Sequence, residues 1–177
     1  MSMSVNDRVQ RIATFRFVEV RLMEIASAWT PTTPEMEAKV MFGRHIWDFA
    51  QHADALGKRT FEMRRPMQFS QRPVEEYVGL LDEVARLEGT AERLAAMYEG
   101  VVPGLERRYR AYLDETDRLL DAPSAVTIER ILLDIPRQRA DVDTLRRALG
   151  LRPAESADVR RRDEAIATMV APQEVRA

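Results

Sequence analysis

Apolar residues recur along this chain at intervals of three and four, in long stretches separated by short clusters of proline, threonine, serine and glycine. That rhythm marks amphipathic helices, and no stretch alternates apolar and polar residues as a half-buried strand would. The spacing predicts a first helix from about Asn6 to Trp29, ended by Thr30-Pro31-Thr32-Thr33-Pro34, where Thr33 can cap the next helix and Pro34 can enter its first turn. The second runs from Pro34 to about Arg65 and stops at Pro66, leaving 66–72 as a polar connection. A third starts at Pro73, with Glu75 and Glu76 against the positive end of its dipole, and continues to about Gly100. Pro103 and Gly104 interrupt it, yet Tyr77, Leu80, Val84, Leu87, Ala91, Leu94 and Tyr98 stay in phase with Leu105, Tyr109 and Tyr112. One long third helix kinked at Pro103, or two nearly collinear ones, ending near Leu120, is therefore expected. Asp121-Ala122-Pro123-Ser124 forms a turn with Ser124 as cap, and the last long helix covers about Ala125 to Leu149, with Pro136 in its interior and Gly150 closing it.

Four long helices with short connections predict an all-α fold, an antiparallel four-helix bundle over residues 1–150. Residues 151–177 read as a polar C-terminal tail, with one short helix over about Val159 to Met169 before the end frays. Its run Arg160-Arg161-Arg162 reads as a solvated face.

Composition narrows the chemistry. The chain has 177 residues, 45% hydrophobic and 32% charged, which suits one folded domain. Its 27 basic and 29 acidic residues nearly cancel, leaving no strong field to attract nucleic acid. The N-terminus shows no signal-peptide pattern and no stretch approaches the roughly 20 apolar residues of a membrane span, so a cytoplasmic protein is expected. With no cysteine, disulfides, thiolate metal sites and cysteine nucleophiles are excluded, and only His45 and His52 remain to titrate near neutral pH.

Placing residues at about 100° steps around each helix puts a few polar groups on inward faces. Glu19 falls among Ile12, Phe15, Val18, Leu22 and Ala26. His45 and His52 share one face of the second helix with Phe42, Phe49, Ala53 and Leu56, and Asp48 sits on its edge. The third helix offers Tyr77, Tyr98, Tyr109 and Tyr112, and the last helix offers Gln138 among Ile128, Ile131, Ile135, Val142 and Leu145. Trp47 and Phe17 point outward. The expected interior is apolar around a small polar centre, where desolvation makes such groups costly and chemically useful.

The stretch His45-Ile46-Trp47-Asp48-Phe49-Ala50-Gln51-His52 resembles the second helix of small bacterial members of the ferritin-like superfamily, and Asp121 to Asp134 is similar to the start of their final helix. Metal-binding members hold two ions on one glutamate from each of two helices and a Glu-x-x-His pair from each of the others. Against that pattern Glu19 matches the first glutamate and His52 the first histidine, but Phe49, Ile135 and Gln138 stand where further ligands belong. A single ion on Glu19, His45 and His52 is chemically conceivable, yet a spacing of seven separates the histidines by about 10 Å, whereas an ion sits about 2.1 Å from each nitrogen. His52 with Asp48 is the better local pair.

The resemblance thus implies a metal-independent descendant, without cofactor, that binds or transforms a small organic molecule in the former metal cavity in bacterial biosynthesis or modification. Glu19, His45 and His52 would act as acid, base or orienting donors, and Asp48, Phe49, Tyr109, Ile135 and Gln138 would line the ligand. Two alternatives stand beside it: a structural or partner-binding bundle, homodimeric through Trp47, and an oxidase or oxygenase with an atypical metal site.

Overall fold

The computed structural model describes residues 3–152, 154 and 156–172, and it is all-helical, with no strand among the described residues. Its elements are α1 (Val5–Thr32), α2 (Met36–Glu62), α3 (Glu75–Ala85), α4 (Thr90–Ala95), a π-helical turn (Ala96–Val101), α5 (Val102–Glu115), α6 (Ala122–Leu149) and α7 (Ala157–Ala165).

Local chemistry sets the boundaries. A capping box starts α1: the Ser4 hydroxyl accepts from the Asp7 amide at 3.1 Å, and the Asp7 carboxylate takes the Ser4 amide at 3.2 Å. Thr33 does not cap α2 as its sequence position suggested. It ends α1 instead, its hydroxyl donating to the Trp29 carbonyl at 2.8 Å. Likewise Ser124 lies inside α6, where it donates to Asp121, the residue that precedes the helix. Gly150 closes α6 at φ 62°, the left-handed conformation that glycine adopts without strain.

The third helix departs most from expectation. It ends at Ala85 rather than near Gly100, although the apolar phase continues through the gap. Side chains take the carbonyls there: Trp29 Nε1 donates to Ala85 at 3.1 Å and Arg93 Nε to Leu87 at 2.8 Å. Arg93 also ties this corner to Thr32 and Thr33 at the end of α1. From Thr90 onward the backbone is helical without interruption to Glu115, because the π turn before Pro103 absorbs the irregularity. Glu99 O, the carbonyl that residue 103 would address in an α-helix, accepts from Arg160 Nε at 3.2 Å.

Side-chain contacts order the helices around one core. Along α1 and α2, Trp29 packs near Phe42 and Glu19 meets His52, while Asn6 meets Arg65 just past α2, so the two run in opposite directions. The same reversal links α2 to α6 through His45 with Asp141, His52 with Asp134 and Arg59 with Ser124. It links α1 to α5 through Glu19 with Tyr109 and Arg11 with Glu115. Between these helices lies an apolar core that includes Ile12, Leu22, Phe42, Leu56, Leu105 and Ile128.

The C-terminal segment is docked. Asp163 on α7 is buried and takes Arg107 at 2.8 Å and Arg108 at 2.7 Å, with Arg108 also reaching the Asp163 carbonyl. Gly104 makes this approach possible, since a Cβ there would lie 1.9 Å from the Asp163 carboxylate. Beyond α7, the Val74 amide donates to Met169 O at 2.9 Å and Met169 is buried. The expected helix over 159–169 is thus found about two residues earlier at its start and four at its end, and the frayed end falls at 173–177, outside the described residues. Asp163→Ala leaves Arg108 half of a buried pair and should cost about 3 kcal/mol, read as a lowered urea midpoint, whereas Asp158→Ala at the exposed start of α7 should change it little.

Candidate functional site

Histidines seven residues apart on an α-helix point almost the same way, and α2 uses this to aim His45 and His52 at α6. On α6 the same spacing separates Asp134 from Asp141. The two helices therefore meet as a ladder. His52 Nε2 lies 3.1 Å from Asp134 Oδ2, His45 Nε2 lies 3.3 Å from Asp141 Oδ2, and between them Gln138 Nε2 donates to Asp48 at 3.2 Å. Arg137 covers the ladder from outside, bonded to Asp48 at 2.8 Å and Asp134 at 2.9 Å and 4.0 Å from Asp141.

Each histidine also has an inner partner. His52 Nδ1 lies 3.2 Å from Glu19 Oε2, and Tyr109 donates its hydroxyl to Glu19 Oε1 at 2.6 Å. His45 Nδ1 lies 2.6 Å from the hydroxyl of Tyr98, which the π turn supplies. Glu19 is 2% exposed, His45 0% and His52 5%, so both clusters sit inside the protein.

The two histidines carry different protons. Burial works against charging His52, but the Glu19 charge, the Glu19 hydrogen bond and Asp134 together outweigh it and raise its pKa to about 9. His52 is then an imidazolium donating through both nitrogens. Burial lowers the pKa of His45, and its bond to Asp141 offsets only part of this. Since a carboxylate can only accept, Nε2–H of neutral His45 donates to Asp141, which leaves Nδ1 to accept from Tyr98. Burial, followed by the charges of Asp48 and Asp141, pushes the Tyr98 phenol well up, so it stays protonated for this role. Burial and the charge of Glu19 do the same to Tyr109. At Asp134 burial opposes ionisation, but bonds from Arg137 and His52 hold it below the usual carboxylate range.

Most of the polar residues expected at the centre are found in this layer, whereas Tyr112 donates to Asp121 and Tyr77 lies against Arg108. Glu19, His52 and Tyr109 come together, His45 forms its own cluster, and Asp48 and Gln138 bond to each other between them. Phe49 and Ile135 are buried members of the apolar core alongside. The pairing of His52 with Asp48 is corrected: Glu19 and Asp134 reach the imidazole from neighbouring helices, and Asp48 turns to Gln138 and Arg137. Asp134 and Asp141 were not singled out because they sit at the margin of the inward face. Their seven-residue spacing, matching that of the histidines, was the available signal.

The donor set is poor for a di-metal centre: of the ligand positions in the resembled pattern only Glu19 and His52 carry a carboxylate or an imidazole, and Phe49, Ile135 and Gln138 supply neither. Among the described residues no group of three or more histidine or acidic side chains is arranged to hold an ion.

The polar layer reaches the surface on both sides of α6. Asp141 lines a groove of about 380 Å³ with Met36, Val40, Arg44 and Leu145, and Tyr98 lines a cleft of about 250 Å³ on the other side.

Opposite shifts give opposite pH effects. His52 is raised, so its stabilisation is complete below the unfolded value near 6.5 and is lost as pH rises through about 9, amounting to about 3 kcal/mol. His45 is lowered, so protonation of the unfolded chain draws stability down as pH falls below about 6.5. Urea unfolding across pH 5 to 10 should therefore show a fall on the alkaline side that His52→Gln flattens and His45→Gln leaves in place.

Compared with known proteins, the chain matches no family model, no curated protein and no solved structure.

Proposed function

We propose that this chain is a metal-independent antiparallel four-helix bundle with ferritin-like connectivity, and that it binds and transforms a small organic molecule by acid–base chemistry at its polar centre. Side-chain contacts support this reading: α1 opposes α2 and α5, α2 opposes α6, and 63–89 would be the single long crossover. The observation that carries the function is the pair of buried histidines one heptad apart in unlike surroundings, His52 between the carboxylates of Glu19 and Asp134 and His45 between the Tyr98 hydroxyl and Asp141. Environments that drive two titratable groups apart are how a site assigns an acid and a base at one pH. His52 is the proton donor, with Glu19 as its internal counter-charge, and His45, backed by Asp141, is the acceptor.

Two further features favour a site over a merely satisfied core. Replacing a buried ion pair by packed apolar residues is often neutral or stabilising, so stability alone does not account for the choice of Glu19 and His52. The Tyr77 hydroxyl is fully buried without a hydrogen-bond partner among the described residues, and it feels the charges of Asp163 and Arg108 and, after them, of Glu19. A buried donor without an acceptor calls for an explanation, and a ligand group is one. Phe49 and Ile135 supply apolar wall, and Tyr109, Asp48 and Gln138 supply orienting bonds.

A library of fragment-sized phenols, carboxylic acids and amines screened by ligand-observed NMR should give binders to the unmodified protein. Glu19→Gln and His52→Gln should each lose them while keeping the helical circular dichroism signal. Absence of any binder, or binders retained by both variants, contradicts the proposal.

A second reading has its own observation. Val40, Trp47 and Phe61 share one heptad position on the outer face of α2, with Trp47 65% exposed, and Leu133 is exposed on adjacent α6. An apolar stripe of this kind suits a homodimer. Trp47→Lys should then lower the mass found by light scattering from dimer to monomer, and an unchanged mass removes this reading.

A further inference from the structure

The cleft beside Tyr98 belongs to three elements at once. The π turn gives Tyr98 and Glu99, α6 gives Arg139 and Arg146 one heptad apart, and α7 gives Arg160. Three guanidinium groups thus border a space of about 250 Å³, together with the carboxylates of Glu99 and Asp143.

Their existing bonds leave capacity. Arg146 Nη1 is bonded to Glu99, whose other oxygen accepts from Ser156 at 3.1 Å, so both oxygens of that carboxylate are engaged. Arg139 reaches Glu106 through Nη2, and Arg160 uses Nε on the Glu99 carbonyl. Arg146 Nε and Nη2 are buried and have no partner among the described residues. These two groups form the side-on edge of the guanidinium, whose parallel N–H bonds match the two oxygens of a carboxylate or phosphate. A charged donor edge out of water and without an acceptor is costly, and an oxyanion on it restores the missing bonds. Exposed Arg160 on α7 and half-buried Arg139 on α6 border the same space and add the second and third positive charges.

We propose that this cleft is a binding site for a phosphate or carboxylate group of a small molecule, held side-on by Arg146 and flanked by Arg139 and Arg160. The site stands on these residues alone and holds whether or not His45 and His52 perform acid–base chemistry. It also gives the π turn a role: a wider turn in an otherwise α-helical rod presents Tyr98 inward to His45 and Glu99 to Arg146.

Isothermal calorimetry of the full chain with inorganic phosphate and, separately, malonate tests it. Saturable binding of at least one is expected, with a dissociation constant on the order of 1 mM or tighter, and amide shifts confined to Tyr98, Gly100 and residues near Arg146. Phosphate alone assigns a phosphate-bearing ligand, and malonate alone or both together assigns a carboxylate-tolerant site. Arg146→Met should weaken binding by at least about tenfold. Because Arg146 is largely buried, Arg160→Met, on an exposed side chain, provides the second arm and should weaken binding without altering the fold. No saturable binding of either anion, or binding unchanged in both variants, overturns the proposal.

Discussion

One carboxylate holds four helices in register. Glu19 on α1 accepts from Tyr109 on α5 and from His52 on α2, and His52 passes on to Asp134 on α6. The line closes at the surface through Arg137 and Asp48. Because Glu19 is almost fully buried, its charge is tolerable only while these partners are in place, and a one-residue slip of any helix would strand a charge in the core. Apolar cores tolerate repacking, whereas a buried charge without its partner is strongly penalised. The polar line therefore favours one arrangement of these helices, and the ladder between α2 and α6 repeats that preference at His45 and Asp141.

The same constraint creates chemistry. A histidine between two carboxylates keeps its proton, whereas one between a phenol and a half-exposed carboxylate loses it, and the difference comes from Glu19 facing one and Tyr98 the other. Structure and function therefore draw on the same groups. A substitution in this layer changes stability and protonation together, so the two must be measured side by side.

Much of this was legible in the sequence because it followed periodicity. The long helices, Gly150 as a stop, the inward Glu19 and the shared face of His45 and His52 all appear as spacing. What was not legible depended on atoms brought from elsewhere. The break after Ala85 is held by Trp29 and Arg93, from helices that periodicity cannot place, and the π turn leaves the apolar phase undisturbed. Spacing along α2 suggests Asp48 as the partner of His52, because periodicity within one helix carries no information about its neighbours. The true partners arrive from α1 and α6. Docking of α7 was hidden for a similar reason, since Asp163 reads as one more charge in a polar tail until Arg107, Arg108 and Gly104 are folded beneath it.

The central claim is that the two histidines occupy opposite protonation states in one interior. Nitrogen-15 NMR of the imidazole rings decides it directly. At pH 7.5 the account predicts His52 with both nitrogens protonated, titrating near 9, and His45 as the neutral tautomer with its proton on Nε2. Two histidines titrating together near 6.5, the ordinary value, would contradict it.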